Sequence, residues 1–248
     1  MAINNLEQFA DQFSTLLKSK PEWPDLLKNG RDMLSQLVSN SNWFKPILSK
    51  LALDDAFLKS QWHSIDPNDI QIYRNPDKLF TVRAFIWEPN VLYPIHDHGA
   101  WGIVGAHINQ IRERKFAWVD DGNDDNYAEV IRIADATLAP GETTYVLPLN
   151  EGIHQMQAVN NNTSVTIHVY GSPVRKGFIN YFNLHNNTAR RMYLPSVEKK
   201  ILAIRAMGSI PESWAEDVLQ KVVNSSELEF VQKEVQYALN KLKGDSQY

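Results

Sequence analysis

The sequence predicts a mainly-β fold, a small antiparallel barrel or double-sheet jelly roll, with helices before it and after it. Three observations predict it. Apolar residues recur at helical spacing through about the first sixty positions. From about Ile70, short strand-like runs follow one another with turn residues between them, a density of strands that suits a barrel or jelly roll. After Pro195 the spacing returns to helical.

In "NNLEQFADQFSTLLKSK", Leu6, Phe9, Phe13, Leu16 and Leu17 fall on one helical face. Further helical segments are expected over Asp25–Val38 and Asn42–Leu58, broken by Pro21, Pro24 and Pro46. These form a helical segment, residues 1–65, packed on the β domain. "IQIYRNPDKLFTVRAFIWEP" reads as a short strand, an Asn-Pro-Asp turn and a longer strand. Strands are then expected over His96–Ile108, Arg112–Trp118, Glu129–Leu138, Glu142–Val146, His154–Val159, Ser164–Tyr170 and Gly177–Phe182. The acidic, Asn-rich "VDDGNDDNYAE" is an exposed hairpin loop, and "RERK" (112–115) a solvated strand edge. The β domain spans 66–195. Residues 196–248 carry three amphipathic segments, with Gly208, Pro211 and "NSS" as breaks, in a pattern that resembles a HEAT-type repeat. They form either a cap on the barrel or a partner-docking module.

A formal net charge of −4 offers no global positive potential to attract phosphates. Nucleic acid and anionic membranes are therefore not expected partners. "MAINNLEQFADQFS" lacks the basic segment and apolar core of a signal peptide, and no apolar run approaches a membrane span. A cytoplasmic location is the expectation. The chain has no cysteine, which removes disulfides, thiolate ligands and a cysteine nucleophile together. Any metal must be held by His, Asp or Glu.

"YPIHDHGAWGIVGAH" (93–107) contains such candidates. Alternate residues of a strand share a face, so His96 and His98 project together with Asp97 turned away. A third ligand must come from a distant strand, and His154 in "LPLNEGIHQMQAV" is the best placed. In "SVTIHVYG", Thr166, His168 and Tyr170 likewise share a face.

The ordered set "P-x-H-D-H-G-x-W-G-x-V-G", "G-I-H" and "I-H-V-Y-G" resembles the thiol dioxygenases, iron-dependent enzymes of the cupin fold related to cysteine dioxygenase. The likeness covers about Ile70–Tyr193 and is closer to the bacterial branch that includes 3-mercaptopropionate dioxygenases. It implies a cupin double-stranded β-helix with His96, His98 and His154 as ligands of Fe(II). Nickel, zinc or manganese are alternatives, because imidazole suits many metals. It also implies a relay from Thr166, in place of the family's Ser, through His168 to Tyr170. A general cupin carries a Glu soon after the second His; here none occurs before Glu113. Without cysteine, Tyr170 must lack the Cys–Tyr crosslink of the animal enzymes. The implied substrates are O2 and a small thiol, the product a sulfinic acid.

The substrate end departs from the family. Where relatives carry an Arg, or use a Gln nearby, this chain has Asp69, with Gln71 two residues on. An aspartate repels a carboxylate or favours a cationic substrate. Arg83, which shares strand parity with Thr81 and Phe85, is a candidate carboxylate clamp, Phe85 a candidate pocket wall, and Arg175 a second anchor. Asn109 stands where the family has a turn glycine and suits a left-handed conformation. Trp101 is expected to pack the barrel mouth. His63, His107 and His185 are expected to be surface or hydrogen-bonded histidines rather than ligands. Two other readings stay open: a metalloenzyme acting on a non-thiol substrate, and a non-catalytic cupin that senses a metal or ligand. The latter would signal through the C-terminal helices, which also offer a route to a homo-oligomer.

Overall fold

Helix α1 (Leu6–Lys18) starts where the Asn5 side chain accepts the Gln8 backbone N–H at 2.9 Å, and it buries Phe9, Ala10 and Phe13. These and the following observations come from a computed structural model describing residues 3–61, 64–225 and 228–244. Helix α2 (Trp23–Val38) buries Leu26, Leu34, Leu37 and Val38. Pro24 stands in its first turn rather than breaking it, since the missing N–H is not needed there. A 3-10 turn (Asn42–Phe44) leads into α3 (Lys45–Leu53), with Pro46 again in the first turn, and α4 (Asp55–Ser60). The expected single segment 42–58 is divided at Asp54, whose carboxylate caps Ala56 and Phe57 at 3.0 Å.

The strands are β1 (Asp69–Arg74), β2 (Phe80–Trp87), β3 (Ile95–His98), β4 (Gly102–Ile108), β5 (Ile111–Trp118) and β6 (Val130–Leu138). They continue with β7 (Thr143–Val146), β8 (Leu149–Ala158), β9 (Ser164–Gly171), β10 (Phe178–Asn183) and β11 (Thr188–Tyr193). Two antiparallel sheets result, ordered β1-β2-β9-β4-β7 and β11-β10-β3-β8-β5-β6. From β6 to β10 successive strands alternate between the sheets, the winding of a jelly roll.

Two apolar layers hold this arrangement. Phe85, Trp87, Val104 and Ala106 of the first sheet pack on Ile111, Met156 and Ala158 of the second. The opposite face of the first sheet, with Val82, Ala84, Ile103, Ile167 and Val169, packs on Phe9, Phe13, Leu34 and Leu37 of α1 and α2. Covered on both faces, β9 reads as a near-continuous buried run.

Three expectations are corrected. The run 96–108 is two strands in different sheets, divided at Gly99, whose carbonyl accepts the N–H groups of Val174 (2.8 Å) and Arg175 (3.0 Å). A Cβ there would lie 2.3 Å from the Arg175 carbonyl oxygen, so only glycine permits this approach. Secondly, "RERK" is no strand edge: β5 lies between β8 and β6, and Glu113 is buried. Thirdly, β11 was unforeseen, because its "TARRMY" lacks an apolar alternation.

By contacts the chain divides into two units, Met1–Arg191 and Met192–Tyr248. The second contains α5 (Pro195–Met207), α6 (Ser213–Ser225) and α7 (Glu229–Leu242) around Ile201, Ile204, Leu219, Val231 and Val235. Among the described residues no helix is long and apolar enough to cross a membrane.

Candidate metal centre

His96 and His98 stand two residues apart on β3, and His154 on β8 is the direct cross-strand partner of His96. The pairing shifts between His96 and His98, where β8 bulges from Leu149 to His154. That bulge brings the Gly152 carbonyl to the His98 ring. The three rings sit 4.7–4.8 Å apart, and one nitrogen from each lies within 4.8 Å of the others.

Each ring is fixed from behind. The Nδ1–H of His96 donates to the Pro94 carbonyl (3.1 Å), that of His98 to the Gly152 carbonyl (3.0 Å), and that of His154 to Glu113 Oε1 (2.8 Å). This tautomer turns an Nε2 lone pair from each ring toward the common centre. His98 Nε2 and His154 Nε2 are buried and have no protein partner. Burial, then the neighbouring imidazoles, holds the pKa of His98 well below the usual value; burial does the same for His154. Neutral imidazoles with converged, unpartnered lone pairs fit a divalent transition metal. Among the described residues no carboxylate joins them.

Glu113 was missed as a site residue. Its side chain is 4% exposed, and burial raises its pKa while the Lys115 charge opposes that shift. It orients His154 and raises the basicity of its Nε2. We predict that Glu113→Gln weakens metal binding by about 10–100-fold, measured by competition with a chelator. Unchanged affinity would reduce Glu113 to packing.

From the other sheet, Thr166, His168 and Tyr170 present one hydrogen-bonded line. Thr166 Oγ1 lies 2.8 Å from His168 Nε2, and His168 Nδ1 2.8 Å from the Tyr170 hydroxyl. Trp87, which sequence reasoning missed, donates its Nε1–H to Thr166 Oγ1 at 2.8 Å. Indole only donates, so Thr166 Oγ1 accepts from Trp87, and two proton arrangements of the line follow. In one, His168 Nε2–H donates to Thr166 Oγ1 and the Tyr170 O–H donates to His168 Nδ1. In the other, the Thr166 hydroxyl donates to His168 Nε2, His168 Nδ1–H donates to the Tyr170 oxygen, and the Tyr170 O–H is left to point elsewhere. Its ring stacks on His98 at 5.7 Å. Gly102 makes room for it, since a Cβ there would lie 2.7 Å from the ring. Burial, and then the charge of Asp69, pushes the Tyr170 pKa up, so the phenol stays protonated. Burial holds His168 neutral.

Phe85 lies 4.4 Å from the His168 ring, on the face that carries the relay. Arg83 pairs with His168 in the β2–β9 register, but it is not a free clamp. Its Nε donates to Asp69 Oδ1 at 2.7 Å and its Nη2 to Ser64 Oγ at 3.1 Å. Arg175, the second anchor candidate, is engaged with another group. Its guanidinium grips Asp97, which points from β3 away from the histidines, and Asn180 donates to the same carboxylate twice at 2.8 Å. A further missed residue, Tyr181 on β10, stands opposite His96 with the rings 6.3 Å apart and donates its hydroxyl to Asp66.

Trp101 packs outward on Phe13 and Trp23, beneath the helices and not at a mouth. His107 is buried between Trp43 and Phe44 and donates to the Val38 carbonyl. His185 is exposed, His63 lies outside the described residues, and Asn109 adopts the left-handed conformation, φ 56°.

No protein-family model matches the chain. Among solved structures it is similar to a cupin 2 conserved barrel domain protein from Rhodopseudomonas palustris, at 11% identity and TM-score 0.36 over 48% of this chain and 68% of that one. A cupin 2 conserved barrel domain protein from Salinispora arenicola gives 18% identity and TM-score 0.32 over 48% and 85%. A DMSP lyase from Ruegeria pomeroyi gives 11% identity and TM-score 0.30, with this chain spanning 41% of its length. What the centre can do follows from its own side chains.

Proposed function

We propose that this chain is a metal-dependent cupin enzyme, specifically an iron(II) thiol dioxygenase that converts a small thiol to its sulfinic acid. The observation that carries the reading is the line Trp87–Thr166–His168–Tyr170, ending with the Tyr170 hydroxyl on the side of three converged histidines. A bound ferrous ion would supply the redox chemistry and adjoining open positions for thiolate and dioxygen. Three imidazoles add no negative charge, so the charge of a substrate thiolate is welcome there, whereas a carboxylate ligand would oppose it. His96, His98 and His154 would hold the ion, and Glu113, Pro94 and Gly152 fix their orientation. His168 orients the Tyr170 hydroxyl, which in the second proton arrangement is available to donate a hydrogen bond to oxygen or to substrate. Phe85 and Trp87 keep water from that side of the site. Both atoms of O2 end on sulfur, which leaves the thiolate as a sulfinate.

The test is oxygen uptake by iron(II)-loaded protein with cysteine, cysteamine and 3-mercaptopropionate, with the sulfinate measured by mass. Uptake stoichiometric with sulfinate is expected, and Tyr170→Phe is expected to cut the rate about 10²–10⁴-fold while one metal still binds. A protein that holds its metal but consumes no oxygen with any thiol would sink the substrate class and leave the metal site standing.

A further inference from the structure

We propose that the outward face of the second sheet, away from the metal centre, carries a binding site for an anionic amphiphile: a carboxylate on an apolar body. A cavity of about 510 Å³ opens there. The buried Phe116 and Val130 line it, with the exposed Leu92 and Leu184 beside them and the guanidinium groups of Arg114 and Arg132 as its charged part. Strand alternation separates this cavity from the histidines. Lys115 stands opposite His154 in the β5–β8 register and Arg114 opposite Gln155, so the second pair turns to the other side of the sheet. On β6, Arg132 is the register partner of Phe116 and Asp135 that of Arg114, which brings both to the same outward face.

The charges decide the sign of the ligand. Asp135 is the carboxylate these arginines share, and Arg112 takes both of its oxygens at 2.6 Å. Arg132 reaches it from Nη1 at 3.2 Å, whereas Arg114 Nε stays 3.6 Å away, beyond hydrogen-bond range. Arg114 Nη1 donates instead to two neutral acceptors, the amide oxygens of Gln155 and Gln157, each at 3.1 Å. Three cations around one anion leave a positive surplus, and no acidic side chain lines the cavity. Among the described residues, neither Arg114 Nη2 nor Arg132 Nη2 has a hydrogen-bond partner within the chain. The Arg114 side chain is only 15% exposed, so its charge is drawn from water with neutral groups alone at hydrogen-bond distance. A carboxylate in the cavity supplies the missing charge and offers an oxygen to each free nitrogen. The apolar body follows from Leu92 and Leu184, 67% and 51% exposed, which a small inorganic anion would leave uncovered.

The experiment is calorimetric titration of the full chain with octanoate below its micellar concentration. Acetate carries the head without the body, octanol the body without the charge, and octylammonium the body with the opposite charge. Octanoate is expected to bind saturably, with a Kd below about 1 mM and at least about tenfold more tightly than any of the three. Arg132→Gln, at a side chain 56% exposed, should weaken octanoate about tenfold, the scale of one charge-assisted contact. Arg114→Gln should weaken it by a similar factor, and Arg132→Gln decides alone if Arg114→Gln does not fold. Thermal melts confirm that each variant is folded. No saturable binding of octanoate, equal binding of octanol or octylammonium, or an octanoate affinity indifferent to Arg132→Gln in folded protein would overturn the inference. The last of these is the result a carboxylate held at the metal centre would give. The dioxygenase reading stands or falls separately, since neither arginine touches the histidines.

Discussion

Replacing His154 with alanine is expected to abolish metal binding and to destabilise the fold. His154 is 1% exposed and ties together two neighbours of β8: it pairs with His96 on β3 and with Glu113 on β5. Two converging imidazoles remain, and affinity should fall by more than the roughly 10–100-fold typical of losing only an outer partner. The same change removes one partner of Glu113. Its carboxyl group, 4% exposed, loses the His154 N–H and keeps Lys115 at 3.8 Å, and losing a hydrogen bond to a charged group costs about 1.5–3 kcal/mol. The vacated ring volume adds a cavity penalty. Metal analysis of purified protein, with thermal unfolding at several metal concentrations, separates the two effects. For the parent chain, metal at about 1,000 times its Kd should add about 4 kcal/mol of stability. For the variant the unfolding temperature should start lower and not respond to metal. A variant that still binds one equivalent with parental affinity would mean the converged Nε2 atoms serve something other than a metal.

The histidines were legible because alternation along a strand needs no knowledge of the fold. His96 and His98 share a face from spacing alone, as do Thr166, His168 and Tyr170. The helical face of α1 was legible for the equivalent reason at a period of 3.6. What spacing does not contain is which strand lies beside which. Glu113 reaches His154 because β5 pairs with β8 with Lys115 opposite His154. Trp87 reaches Thr166 through the β2–β9 register. Tyr181 faces His96 only once β10 is set against β3. These partners are forty or more residues from the groups they serve, and nothing local marks them. Glu113 was further disguised by its charged neighbours: Arg112, Arg114 and Lys115 make "RERK" look solvated. Arg112 instead meets Asp135 at 2.6 Å, and Lys115 donates to the Tyr145 carbonyl at 2.8 Å. The division at Gly99 was hidden too, because a strand that changes sheet keeps its apolar pattern through the bend.

Arg175→Ala should lower stability by about 3–5 kcal/mol, and its effect on thiol binding should ignore the charge of the thiol. Asp97 is fully buried, and its carboxylate is held by the Arg175 guanidinium and by the backbone and side-chain N–H groups of Asn180. Removing the guanidinium leaves a buried negative charge with neutral donors alone, a loss in the range measured for one partner of a buried ion pair. Arg175→Lys should recover little, because an ammonium cannot reproduce the two-nitrogen grip or the stacking of the guanidinium on Phe178 at 4.6 Å. Chemical denaturation gives the stability change, and KM for cysteamine and 3-mercaptopropionate gives the other readout. Were Arg175 a carboxylate anchor, KM would rise for 3-mercaptopropionate alone and stability would hold. Asp97 sits between His96 and His98 on β3, so a loosened Asp97 is expected to disturb both ligands and both thiols alike. The pair thus fastens β3 from behind, on the face opposite the metal centre, and the separation of the two readouts distinguishes that role from substrate recognition.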